Sequence, residues 1–208
     1  MNKRGKFITI EGTDGSGKST QLELLKKYFA EKKTDAVFVR DPGSTQIGEK
    51  IRSLILDTQN TAMSDETEAL LYAACRIQLV NEVIVPALER GTNVICDRFV
   101  DSSIAYQGFA RGLGQEKIEL INSFALEKCM PDLTVFFNLP PEKGMLRKNN
   151  QKELDRIEKE SINFHKKVYN GYLSLLNAYP QRIHSIDASL SVEEVFNSVK
   201  NIIEAMRW

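Results

Sequence analysis

The run Gly12-Thr13-Asp14-Gly15-Ser16-Gly17-Lys18-Ser19 sets glycines, a lysine and a hydroxyl in the pattern G-x-x-x-x-G-K-[ST]. Glycines let successive backbone N–H groups converge on one point, and a following helix N-terminus adds partial positive charge, so the run suits a phosphate chain. Lys18 has the reach for β- and γ-phosphates, and the Ser19 hydroxyl suits Mg²⁺. An apolar stretch, Phe7 to Glu11, precedes the run, and a helical pattern, Gly17 to Lys33, follows it. Strand, loop and helix in that order are the context such a loop requires, so residues 12 to 20, through Thr20, are read as a nucleoside triphosphate site.

A guanine-reading segment of the Asn-Lys-x-Asp kind does not occur. Arginines stand instead where two other apolar stretches end: Arg40 before Asp41-Pro42-Gly43, and Arg98 directly after Asp97. Open parallel sheets bind ligands beyond the carboxyl ends of their strands, which places Arg40 and Arg98 at the same crevice as the loop. Guanidinium forks match a phosphate dianion, so the pair points to a second, phosphorylated substrate. Arg76, among apolar residues, is either an ion-paired structural arginine or a third cation of that crevice. Asp97 suits a carboxylate that holds Mg²⁺ waters or orients an acceptor. In the run Asp101-Ser102-Ser103-Ile104-Ala105-Tyr106-Gln107-Gly108, Gln107 carries both a donor and an acceptor for a base edge. Tyr106 suits the wall of a sugar pocket and Tyr72 suits stacking on a base; simple packing is the alternative for each.

These residues need elements to hold them. Short β-branched runs at Phe7 to Glu11, Ala36 to Arg40, Asn93 to Asp97, Leu133 to Leu139 and Arg182 to Asp187 read as five strands. Helical patterns lie between and after them: Gly17 to Lys33, Gln46 to Asp57, Ser64 to Arg90, Gln115 to Leu126, Asp155 to Asn177 and Ser191 to Arg207. The alternation predicts an α/β fold, a five-stranded parallel sheet with helices on both faces, in one domain over residues 1–208. The Ser64 helix is apolar on more than one face, which suits deep burial or contact with a second subunit. The polar stretch Arg147 to Glu153 reads as a mobile surface segment.

Composition narrows the class. In 208 residues, 28 Lys plus Arg balance 28 Asp plus Glu, which argues against a polyanion or membrane-surface binder. Cys75, Cys96 and Cys129 are odd in number and form no CxxC pair, as expected of buried reduced thiols in a cytoplasmic protein. His165 and His184 have no metal-ligand spacing and receive no role.

Taken together, the chain resembles the bacterial thymidylate kinases from about Phe7 to its last helix. The likeness rests on the phosphate loop, Asp41-Pro42-Gly43, Asp97-Arg98-Phe99 through Gly108, and Leu154-Asp155-Arg156-Ile157-Glu158. It implies a cytoplasmic, Mg²⁺-dependent homodimer that moves the γ-phosphate of ATP onto dTMP. It further implies that Arg40 and Arg98 hold the dTMP phosphate, that Arg76 and Gln107 read the thymine edge, and that Tyr72 stacks on the ring. Tyr106 would crowd the 2′ position, Asp14 would face the sugar and acceptor, and Ser102 would join the substrate site. Ser19 and Asp97 would serve the metal. A lid near residues 144–156 would bring Arg147 or Arg156 over the γ-phosphate, completing a catalytic set with Lys18, Asp14 and Arg98. Lys148 and Lys152 are further lid cations. Asp41, Ser44 and Phe99 depart mildly from the usual Glu, Gly and Tyr. Two rivals remain: a deoxynucleoside kinase, which would not need the paired strand-end arginines, and a regulatory ATP sensor, which would bind without transfer.

Overall fold

A computed structural model describes residues 4–148 and 154–206. Five strands, β1 (Phe7–Gly12), β2 (Ala36–Arg40), β3 (Asn93–Asp97), β4 (Leu133–Asn138) and β5 (Ile183–Asp187), form one parallel sheet in the order β2-β3-β1-β4-β5. Central β1 is buried along its whole length, as its continuous apolar run requires. Successive side chains leave opposite faces of a strand. Phe7, Val94, Cys96 and Phe136 therefore enter one apolar layer, while Ile8, Ile10, Ile95, Val135 and Phe137 enter the other.

The second layer is closed by α1 (Lys18–Glu31) and by α10 (Val192–Ala205), whose Ser191–Glu194 capping box is present as the sequence predicts. On the first face lie α2 (Gln46–Leu56) and α3 (Asp65–Leu79), which runs through a π-helical turn, Val80–Ile84, into α4 (Val85–Glu89). In length and hydropathy, Asp65–Glu89 matches a membrane-crossing helix. Its contacts are those of a core helix: Leu79, Val80 and Ile84 are fully buried, and so are the charged Glu68 and Arg76, each ion-paired within the fold. The three cysteines are buried and free.

Two of the expected helices differ from expectation, and two helices occur where none was expected. The helix expected from Asp155 begins at Ile162, as α9 (Ile162–Ala178), capped by the Ser161 hydroxyl on Phe164 N–H. Before it, Asp155 and Glu158 bond reciprocally in a turn, and Arg156 N–H donates to Leu56 O. The helix expected over Gln115 to Leu126 breaks into α6 (Gln115–Ile121) and α7 (Ser123–Leu126). At the break Asn122 is buried: its amide nitrogen bonds Ile118 O and its oxygen accepts from Arg76, so the side chain competes with the helix ladder. Two further helices fall outside those expected from the sequence. α5 (Val100–Ser103) continues as a π-helical segment, Ile104–Ala110, and α8 (Pro141–Lys148) follows β4. Residues 149–153 of the expected lid, Lys152 among them, lie outside the described residues, as does Arg207 at the end of the last expected helix.

α8 meets the phosphate loop backbone to backbone. A Cβ on Gly144 would stand 2.3 Å from Asp14 O, and one on Gly15, at φ +75, would stand 2.2 Å from Gly144 O. Neither contact leaves room for a methyl group. Gly144→Ala is expected to push the loop and α8 apart, lowering stability by about 2 kcal/mol, or roughly 4–8 °C in Tm, and weakening triphosphate binding. Calorimetry and nucleotide titration check both.

Candidate active site

The loop, the ends of β2 and β3, α2, α3, α5 with its π-helical continuation, α8 and the Asp155 turn enclose a crevice of about 490 Å³. It opens at the carboxyl ends of the strands, where a parallel sheet exposes its ligand site. Gly17 takes φ +91 at the cap of α1, and no side chain caps that helix. The first-turn N–H groups are therefore left for an anion. Asp14, Gly15, Ser16, Gly17, Lys18, Ser19 and Thr20 all border the crevice. Gly12 and Thr13 lie beneath it: Thr13 Oγ1 donates to Leu139 O, and both backbone carbonyls accept from Lys18 Nζ at 3.1 Å.

Burial, and after it Arg98, pushes the Lys18 ammonium down to about 8, against the carboxylates of Asp97, Asp14 and Glu11. Ser16 Oγ and Asp97 Oδ1 are buried without a hydrogen-bond partner, which is unusual for buried polar atoms in a finished fold.

On the opposite wall Arg98 donates to Asp14 Oδ1 at 2.7 Å and to the hydroxyls of Ser102 and Tyr172 at 3.2 Å, over the ring of Tyr106. Arg40 borders the crevice while bonding Glu49 Oε2 at 2.7 Å. The structure adds Arg52, which sequence reasoning missed; it donates to Pro42 O at 2.8 Å from α2. Its signal was only a polar position on an amphipathic helix. Tyr72, Ser102, Ser103, Tyr106 and Gln107 also line the space.

Arg76 borders the same space but is 1% exposed. It bonds Asp41 Oδ2 at 2.6 Å, Asn122 Oδ1 at 2.5 Å, Phe99 O at 3.2 Å and Ser103 Oγ at 2.9 Å. A guanidinium has five N–H groups, so the fold itself uses most of this one. Burial pushes Asp41 upward while Arg76 opposes it.

Arg156 does not reach the crevice. It donates to Ile55 O at 2.8 Å and to Glu68 Oε2 at 2.6 Å, because the Asp155 turn directs it to the buried carboxylate rather than over a phosphate. Of the two expected lid arginines only Arg147 borders the crevice, from the last turn of α8, with its Nη1 on Ala188 O. Glu68 also receives Arg111 and the amide of Gln107. Against the upward push of burial, Arg111, Gln107 and Arg156 hold its carboxyl below the usual range. Ionised, Glu68 only accepts, which turns the Gln107 nitrogen toward it and the Gln107 oxygen away from it, in a residue that borders the crevice.

The arrangement is a glycine-rich loop with a buried lysine facing a wall of arginines, aromatics and one amide. The family model for thymidylate kinase matches residues 10–199. The chain belongs to the thymidylate kinase family. It is 48% identical to the thymidylate kinase of Clostridium novyi (strain NT) over 206 residues, covering 98% of this chain and 100% of that one. It is 49% identical to that of Finegoldia magna over 198 residues, covering 95% and 97%. The crystal structure of thymidylate kinase from Ehrlichia chaffeensis superimposes with a TM-score of 0.79 at 29% identity, covering 97% of this chain and 99% of the other.

For this kinase, a buried lysine with a depressed pKa has a thermodynamic sign. Below about pH 8 the folded state carries the charge at a cost. The unfolded lysine holds its proton up to 10.5, so stability rises as pH increases from about 8 to 10.5. Lys18→Met is expected to abolish phosphoryl transfer and yet raise the Tm of the ligand-free kinase at pH 7 by about 5 °C. The gain should shrink as the pH approaches 10.5. Turnover assays and calorimetry at the two pH values check this.

Proposed function

We propose that the crevice performs the family's reaction with the donor on the loop and the acceptor on the arginine wall. As a thymidylate kinase the chain transfers the γ-phosphate of ATP to dTMP, giving ADP and dTDP. The observation that carries the assignment is the 2.7 Å contact between Arg98 and Asp14. It sets the principal acceptor cation against the residue beside Gly15 of the donor loop, so two phosphate chains held there meet end to end. Phosphoryl transfer needs little more than such in-line positioning and cations around the spreading charge.

In this reading Lys18 leaves the Gly12 and Thr13 carbonyls for the β- and γ-phosphates, while the loop N–H groups hold the remaining oxygens. Arg98 and Arg40 hold the dTMP phosphate, and Arg147 is the lid cation over the γ-phosphate. Arg156 is reassigned to keeping Glu68 ionised. The Gln107 oxygen accepts from thymine N3–H, a contact that the unprotonated N3 of cytosine cannot make. Arg76 offers its remaining N–H to the base, Tyr72 stacks on the ring, Tyr106 lines the sugar pocket, and Ser102 supports Arg98.

Mg²⁺ fits the residues present: Asp97 Oδ1 has no protein partner, and the Ser19 hydroxyl stands exposed at the start of α1. Among the described residues no group of three or more His, Cys, Asp or Glu forms a metal cage. Mg²⁺ does not require one, because it binds through one or two protein oxygens plus substrate phosphates. When bound, the ion neutralises charge between the β- and γ-phosphates.

The acceptor assignment is tested by ADP release with dTMP, dUMP, dCMP, AMP and thymidine. Expected are turnover with dTMP, much less with dCMP or AMP, and background with thymidine. Arg98→Ala should raise KM for dTMP about ten- to a hundredfold and leave KM for ATP within about twofold. Thymidine turning over as well as dTMP would sink the arginine-wall reading.

We further place the chain in the cytoplasm, with its free thiols reduced, as a homodimer. Leu70 on α3 and Phe124 on α7 are 55% and 73% exposed, and they border an apolar groove with Ala73, Ala74, Ile77 and Ile121. A contiguous apolar face of this kind suits a second copy. Phe124→Glu is expected to convert a dimer to a monomer in sedimentation experiments. A wild-type chain that sediments as a monomer excludes the dimer.

A further inference from the structure

Glu11 is the penultimate residue of β1, directly before Gly12 of the loop, and the mechanism above gives it no task. Its carboxylate is fully buried. Oε1 accepts Phe99 N–H at 2.7 Å; Oε2 accepts the Ser102 hydroxyl at 2.6 Å and the Tyr172 hydroxyl at 2.9 Å. These two hydroxyls are 2.8 Å apart, and they are the pair to which Arg98 Nη1 donates. Arg98 itself has φ +67, a left-handed backbone that costs a side-chain-bearing residue about 1–2 kcal/mol. Its own N–H is tied to Ile10 O and the next residue's N–H to Glu11. Consecutive β1 residues thus fasten both sides of the strained position.

We propose that Glu11, acting through Ser102, Tyr172 and the Phe99 N–H, is the positioning residue that aims the Arg98 guanidinium at the acceptor phosphate. The inference rests on the assignment of Arg98 to that phosphate. The polarity of the hydrogen bonds makes the role specific. An ionised carboxylate only accepts. It draws both hydroxyl protons toward itself and leaves the hydroxyl lone pairs to Arg98. A group at position 11 that donates one hydrogen forces a hydroxyl to reverse, and its proton then confronts the Arg98 N–H.

Arg98, Asp101 and Tyr172 face Glu11, and its charge is also felt at Lys18, Cys96 and Arg182. Burial first, then Asp101, pushes the carboxyl up to about 7, with Arg98 opposing. As pH falls through that value the ionised fraction falls, Arg98 loses its support, and dTMP binding weakens.

The test is steady-state kinetics of Glu11→Gln, Tyr172→Phe and Arg98→Ala against wild type, varying dTMP and ATP separately from about pH 6 to pH 8.5. Glu11→Gln is expected to raise KM for dTMP about tenfold, with KM for ATP within about twofold. It should also remove the acidic loss of dTMP affinity that centres near pH 7 in wild type. The second ionisation of the dTMP phosphate, near 6, is common to both enzymes, so the difference between profiles reports Glu11. Tyr172→Phe, which deletes one oxygen of the relay, should raise KM for dTMP about threefold and keep the pH dependence. If Glu11→Gln does not fold, Tyr172→Phe decides: an unchanged KM for dTMP overturns the proposal. A folded Glu11→Gln with wild-type KM and wild-type profile overturns it directly, provided Arg98→Ala raises KM. An Arg98→Ala kinase with unchanged KM for dTMP overturns the acceptor assignment and this inference with it.

Discussion

A crevice built to hold two phosphate chains must carry cations before either chain arrives, and a buried cation without a partner is costly. Much of the site follows from that constraint. Arg98 is balanced by Asp14, Arg76 by Asp41, and Arg40 by Glu49. Lys18 rests on two loop carbonyls. Substrate phosphates must be preferred over these internal partners. The exchange is easiest where the internal partner is a carbonyl or a partly exposed carboxylate, as for Lys18 and Arg40, and hardest where the pair is fully buried, as for Arg76. In the proposed reading, an internal partner that is a neutral carbonyl or a partly exposed carboxylate marks a cation held ready for substrate, and a fully buried ion pair marks one committed to the fold. The neutral overall charge of the chain is compatible with this, because positive charge gathered at the crevice is matched by carboxylates close to it.

The committed cations do more than pack. Arg156 and Arg111 keep Glu68 ionised, and Glu68 in turn fixes which end of the Gln107 amide faces the ligand. In the proposed reading, an arginine outside the crevice thus contributes to which base is accepted inside it. Arg76 joins Asp41 at the end of β2 to Asn122 at the break between α6 and α7 and to the backbone after β3. This wall of the crevice is consequently assembled from segments far apart in the chain, and its rigidity comes from buried hydrogen bonds whose loss would leave unpaired charge.

Local patterns were legible where one physical rule governs them. The phosphate loop is a short-range motif, and its glycines and lysine determine its shape and reach. Five buried strands show as apolar runs, and the cap of the last helix shows as Ser191 and Glu194 three residues apart. Patterns were not legible where a side chain serves a distant partner. Asn122 reads as an ordinary helix residue until Arg76 arrives to bond it. Asp155 reads as a helix start until its bonds with Glu158 close a turn. Glu11 reads as the end of an apolar run, although its carboxylate meets groups from the turn between β3 and α5, from α5 and from α9. Arg52 reads as a solvated helix position, although the turn after β2 lies within its reach.

The sequence by itself determined the loop, the alternation of strand and helix, and the presence of arginines at two strand ends, because each depends on neighbours within a few residues. Only the tertiary structure decided what those arginines touch. It brought Arg98 to Asp14 across 84 positions and sent Arg156 to Glu68 instead of the crevice. It also placed Arg147 at the crevice edge from α8, a short helix that the sequence reading did not contain. Long side chains reach several possible partners, and the one each finds is set by strand order and helix packing, which no local pattern contains.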